Sequence, residues 1–358
     1  MSDDTARRKQ MTTTPLVLVG GYSSAEQPGI HAFQYDPQQG SLTPHGAFAG
    51  IANPSFLIAH PNGRWIYAVS EGEDGAVYAL ELQREPFALR VINHQPSGGA
   101  APCHLAISAD GAWLAVANYS SGTASLLPIT DEGALGIPAD LVRHTGSGPH
   151  PTRQGAAFAH SATFTPDGQF VIVADLGIDA LMVYRLDADT GRLSLHAQVH
   201  TAPGAGPRHL AVHPDGATIY VANELDNTVG VYTYDGAGGL QQRQTLPTLP
   251  PDAPDNTVAD IHLDPAAERL YVSNRGHNSL AVYTVAANGE LTHLHTASCG
   301  GSWPRNFAIA PGGAHLLVGN QRSNAVMVLP ITTDASALGA SVAEVAVPAP
   351  ACVVFVAG

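Results

Sequence analysis

Pro54-Ser-Phe-Leu-Ile-Ala-His-Pro-Asn-Gly-Arg-Trp-Ile-Tyr-Ala-Val-Ser70 returns later in the chain as Pro207-Arg-His-Leu-Ala-Val-His-Pro-Asp-Gly-Ala-Thr-Ile-Tyr-Val-Ala-Asn223. Weaker copies begin at Pro102, Ala159, Val258 and Pro304, at intervals on the order of 50 residues. Each copy reads as a short apolar strand, a Pro/Asp/Gly turn, a second apolar strand and a closing Asn, Asp or Ser. Third strands follow with period-two alternation, as in Ala180-Leu-Met-Val-Tyr-Arg-Leu186 and Thr228-Val-Gly-Val-Tyr-Thr-Tyr234. No long segment carries a 3.6-residue period. Strand-only repeats of this length predict an all-β fold, a β-propeller with one four-stranded blade per repeat.

The ends of the second strands number seven: Val19-Gly-Gly-Tyr22, Val69-Ser-Glu71, Val116-Ala-Asn-Tyr119, Val173-Ala-Asp-Leu176, Val221-Ala-Asn-Glu224, Val272-Ser-Asn-Arg275 and Val318-Gly-Asn-Gln321. Only six first strands precede them. The seventh lies at the far end of the chain, where Pro350-Ala-Cys-Val-Val-Phe-Val356 matches the start of the motif. A seven-bladed ring closed by the C-terminal strand completing the N-terminal blade is therefore expected, since closure leaves no long unpaired edge. Residues 15–358 read as one propeller domain, and 1–14 as a polar, disordered extension.

Composition excludes several functions. A net charge of −14 argues against nucleic acid as a partner, because phosphate binding needs a basic face. No stretch approaches the length of a membrane span. Three scattered cysteines form neither a disulfide framework nor a zinc site, and the histidines show no ligand spacing, so no metal and no cofactor are expected. Arg7-Arg8 lacks the apolar region and cleavage site of an export signal, and a cytoplasmic location is expected. The chain is expected to be a monomer or weak homodimer.

Aligning the repeats shows which side chains face the central channel. One ring position holds Ser55, Cys103, His160, Arg208, Ala259, Arg305 and Ala351. The next holds Phe56, His104, Ser161, His209, Asp260, Asn306 and Cys352. A third, just past the second strand, holds Tyr22, Glu71, Tyr119, Leu176, Glu224, Arg275 and Gln321. The scaffold repeats while these positions diversify, which is what an asymmetric polar site on a symmetric frame would look like. A polar, water-filled channel serving only to satisfy backbone groups is the plainer alternative.

Ala159-His-Ser-Ala-Thr-Phe-Thr-Pro-Asp-Gly168, Gly206-Pro-Arg-His209, Tyr220-Val-Ala-Asn-Glu-Leu225, Leu270-Tyr-Val-Ser-Asn-Arg-Gly-His277 and Trp303-Pro-Arg-Asn-Phe307 resemble the seven-bladed lactonase family. That family contains bacterial propeller-type 6-phosphogluconolactonases and the fungal 3-carboxy-cis,cis-muconate lactonizing enzyme. The resemblance runs from Leu16 to about Ile331 and implies a catalytic set of His160, Arg208, Glu224 and Arg275. It departs from the family at Phe158, where a histidine is usual.

The function so implied is hydrolysis of a small anionic sugar lactone, 6-phospho-D-glucono-1,5-lactone first. His160 would serve as general base, Glu224 would orient it or replace it, and Arg208 and Arg275 would polarise the carbonyl. Arg305, His209 and Gln321 are the expected substrate-binding residues. A cycloisomerase using the arginines to hold carboxylates, and a non-catalytic binding scaffold, are the alternatives. The loop around Gly146-Ser-Gly-Pro-His-Pro-Thr-Arg153 is expected either to overhang one mouth or to be an ordinary mobile insertion.

Overall fold

The computed structural model describes residues 14–253, 255–334 and 337–357; apart from Thr14, the expected N-terminal extension lies outside them. It contains seven four-stranded antiparallel sheets, so the all-β propeller and its blade count hold. The first blade joins Pro350–Val356 to Leu16–Gly21, Ile30–Asp36 and Ser41–Phe48. Its register runs from Leu16 opposite Val356 to Gly20 opposite Cys352, so the two ends of the chain close the ring as expected. Each later blade uses four consecutive strands; the fifth, for example, is Pro207–Val212, Thr218–Asn223, Thr228–Tyr234 and Leu240–Pro247. A single 3-10 turn at Leu176–Ile178 is the only helical element among the described residues.

The apolar core is divided rather than central. Seven clusters of buried side chains each lie between two neighbouring blades. One brings Tyr220, Ala222, Val229 and Val231 of the fifth blade against Val258, Ile261, Leu270 and Val272 of the sixth. Middle strands carry apolar residues on both faces because both faces meet a neighbour; Phe170–Asp175 and Thr218–Asn223 are buried throughout. Outer strands alternate because only one face is covered, as in Arg192–His200.

The repeated residues have repeated duties. The motif tyrosine crosses to the next blade, with Tyr67 donating to Gly133 O (3.1 Å) and Tyr220 to Gly289 O (2.9 Å). The closing asparagine ties the second strand to the outer edge of the preceding blade: Asn118 donates to Ser97 O and Asn320 to Cys299 O, each at 3.0 Å. The turn glycines Gly63, Gly168 and Gly216 have φ of 68°, 68° and 71°, a region that favours glycine.

Ending the chain after Val347 would remove the inner strand of the first blade and leave Leu16–Gly21 as an open edge. Calorimetry should then give no cooperative transition where the full chain gives one. A retained sharp transition would mean the ring holds without its closing strand.

Candidate active site

The first ring of channel positions is set by a backbone irregularity shared by six blades. In the third blade Pro102 pairs with Asn118 and His104 with Ala117, which leaves Cys103 as an extra residue in the inner strand. The same bulge isolates His160, Arg208 and Arg305. It also falls at Ala259–Asp260, and at Ala351 in the closing strand. A bulge turns one side chain away from the regular alternation, and here it turns the ring residues towards the axis.

A cavity of about 190 Å³ at the end of the channel is lined by Glu71, Cys103, Tyr119, Arg153, His160, Glu224, Arg275 and Arg305. All but Arg153 belong to the ring positions read from the repeats. Glu224 is the centre of the charge network. Its Oε1 accepts from Arg153 Nη2 at 2.5 Å. Its Oε2 lies 2.8 Å from Arg275 Nη2, 3.0 Å from Arg208 Nε and 3.9 Å from His160 Nε2. The two closer contacts are ion pairs without aligned hydrogen bonds, so Oε2 retains acceptor capacity. On the opposite wall Glu71 Oε2 accepts from Tyr22 (2.9 Å) and from Ser55 Oγ. Arg305 lies 5.3 Å above the Tyr22 ring and has no hydrogen bond or ion pair among the described residues. A guanidinium so placed is open to an anion.

Electrostatics set the protonation states. Burial alone would raise the Glu224 carboxyl, but Arg275, then Arg208 and Arg153, outweigh it and bring it down to about 2. His160 is pushed the other way. Burial first, then Arg208, His209 and Arg305, lower it well below the ordinary 6.5, so it stays neutral. Burial above all raises the Cys103 thiol, which makes it a wall residue rather than a nucleophile. Among the described residues no three His, Cys, Asp or Glu side chains converge as a metal cage requires.

The structure brings together four of the expected residues, His160, Glu224, Arg275 and Arg305, around one space. Arg208 stands behind them, buried against Glu224 and outside the cavity lining. His209 and Gln321, expected to bind substrate, do not line the cavity either. His209 is turned beneath it, towards Asp260, because successive residues of an inner strand point to different levels. Sequence reasoning named the loop of Arg153 but passed over the residue itself, which lies in an insertion with no equivalent in other blades. The loop overhangs the cavity and is fastened. His144 Nδ1 meets Asp175 Oδ2 at 2.6 Å, and Gln154 Nε2 donates to Leu176 O (2.8 Å) and Asp179 Oδ1 (2.7 Å). Phe158, the departure from the family pattern, stacks on the cavity residue Tyr119 with ring centroids 4.8 Å apart.

Arg153→Ala removes one of three cations from Glu224. Its carboxyl should therefore titrate at a higher pH than in the wild type, read from side-chain carbon-13 shifts. An unmoved titration would mean that the loop arginine does not reach Glu224 in solution.

Comparison with known proteins agrees with this architecture. The family described as "Lactonase, 7-bladed beta-propeller" matches residues 16–355. A 6-phosphogluconolactonase of Bacillus subtilis is 33% identical over 341 residues, covering 94% of this chain and 97% of its own. One from Formosa agariphila is 31% identical over 322 residues, covering 87% and 91%. The solved structure of a periplasmic gluconolactonase from Pseudomonas aeruginosa, PpgL, superposes with a TM-score of 0.91 at 31% identity, covering 96% and 99%. Fold, ring closure and sequence similarity along almost the whole chain agree: the protein belongs to the lactonase family of seven-bladed β-propellers.

Proposed function

We propose that the cavity hydrolyses a sugar lactone carrying a terminal anion, 6-phospho-D-glucono-1,5-lactone being the first candidate. One observation carries this reading: an ionised carboxylate, a neutral histidine and an unpaired guanidinium converge on one small buried space. Four arginines (Arg153, Arg208, Arg275 and Arg305) face two carboxylates there, so the site is locally cationic in a chain of net charge −14. An anionic substrate fits such a field. The curated relatives named as 6-phosphogluconolactonases support the choice of substrate.

In this mechanism water attacks the lactone carbonyl carbon and His160 takes its proton. The imidazolium so formed gains from Glu224 Oε2, 3.9 Å away. Arg275 and Arg153, which line the cavity, stabilise the oxyanion. Collapse of the tetrahedral intermediate breaks the bond between that carbon and the ring oxygen. The ring oxygen recovers the proton from His160, leaving the open hydroxy acid. A positioned general base contributes ~10²–10⁴-fold, enough for an ester that already opens slowly in water. Arg305 takes the phosphate. A cytoplasmic site of action accords with three cysteines that are all free thiols.

The test follows 6-phosphogluconate release through a coupled dehydrogenase, above the spontaneous rate. His160→Ala should bring turnover close to background with the melting temperature preserved, and turnover equal to wild type would refute the assignment. Arg305→Gln should raise KM for the phosphorylated lactone about tenfold or more, while KM for glucono-1,5-lactone stays level. Equal effects on both substrates would remove Arg305 as the phosphate anchor. The pH profile supplies a signed prediction. Because His160 is neutral well below 6.5, kcat/KM should hold level through the ordinary histidine range and fall only at more acid pH. Arg208 disfavours the His160 proton, so Arg208→Gln should move this acid limb to higher pH. A limb that does not move belongs to another group.

A further inference from the structure

Beneath the cavity lies a second polar layer, built from the residues that immediately follow the channel ring. His209, Asp260 and Asn306 come from three consecutive blades and meet near the axis. Asp260 is buried and accepts four hydrogen bonds. They come from His209 Nδ1 (2.7 Å), His262 Nε2 (2.8 Å), Asn306 Nδ2 (2.6 Å) and the Phe307 amide (3.2 Å). An ionised carboxylate can only accept, so Nδ1 of His209 carries the hydrogen and Nε2 the lone pair. That lone pair faces Arg208 Nη1 at 3.2 Å. The same Nη1 donates to Ala259 O at 2.6 Å, while Nε of the guanidinium lies 3.0 Å from Glu224 Oε2.

We infer that His209 and Asp260 are positioning residues of the active site: Asp260 fixes the tautomer of His209, His209 anchors Arg208, and Arg208 holds the Glu224 carboxylate. The order of contacts leaves each group one orientation. With the hydrogen on Nε2 instead, His209 would point a donor at a donor and Arg208 would lose an acceptor that holds it. The His209 ring also packs edge-on against His160, with centroids 5.4 Å apart and planes at 72°, so it floors the proposed base as well. Its neutrality is secured by its surroundings, since burial first and Arg208 next bring it down to about 4. Burial opposes the charge on Asp260, but His262 and His209 hold it well below the usual carboxylate range.

The inference rests on the proposed lactone hydrolysis, and two kinds of measurement separate their failures. In the hydrolysis assay, His209→Leu removes the acceptor, whereas His209→Gln keeps one where Nε2 stood. His209→Leu also takes a donor from buried Asp260 and should lower the melting temperature; it should lower kcat about 10- to 100-fold, the loss of a hydrogen bond to a charged group, with KM little changed. His209→Gln should recover most of that loss, which a purely structural role would not require. Nitrogen-15 spectra of the histidine-labelled wild type should give His209 the Nδ1–H tautomer through neutral pH. The inference is overturned if Nε2 carries the hydrogen, or if His209→Leu keeps wild-type kcat while Arg208→Ala loses it. Should Arg208→Ala itself retain full activity, the Glu224 carboxylate does not depend on Arg208 and the positioning role is overturned, whereas wild-type turnover in His160→Ala is the result that fails the catalytic reading. Asp260→Asn is an additional arm; the wild-type spectra and the His209 variants decide the matter even if it does not fold.

Discussion

Backbone pairing between Pro350–Val356 and Leu16–Gly21 converts a row of blades into a ring, and only a ring has an axis. Every group of the site depends on that closure. The cavity draws on the second through seventh blades, and Tyr22 of the first holds Glu71. Residues far apart in sequence meet because each blade is rotated about the common axis with respect to the last. The seven apolar clusters between blades keep those rotations regular, since large side chains such as Tyr220 and Phe307 leave little freedom to slide.

On this regular frame the chain assembles a costly arrangement. Burying guanidiniums and carboxylates together gains little stability, because desolvation offsets most of their attraction. Such a cluster is better understood as a field held ready for a reaction than as a source of stability. Glu224 illustrates the linkage. Its folded value of about 2 lies below the ordinary 4.5, so it favours the folded state above that range, and the contribution is lost as pH falls towards 2. His160 is kept neutral by burial first and then by Arg208, which is also one of the arginines that hold Glu224 ionised. Burial and the neighbouring cations thereby separate the two groups into a fixed anion and a neutral imidazole, the division that the proposed proton transfer would use.

Much of this was legible in the sequence. Blade number and ring closure follow from the motif, because every blade solves the same packing problem with the same residues. The channel rings follow as well. Each occupies one alignment position, and the shared bulge sends the first of these positions towards the axis in six blades. Arg153 was not legible as a site residue. It stands in an insertion, and its reach to Glu224 depends on how His144 and Gln154 fasten the loop. The depth of Arg208 and His209 was equally hidden, because alignment gives the angular position of a residue around the axis and not its level along it.

The sequence by itself thus determined the architecture, the closing strand and the set of side chains that can face the channel, since periodicity and repetition are local properties of a chain. Tertiary structure alone decided which of them share one space, which stand behind as supports, and which carry charge. Those outcomes depend on distance and burial between blades. A guanidinium 3 Å from a carboxylate inside a protein behaves quite differently from one a layer away.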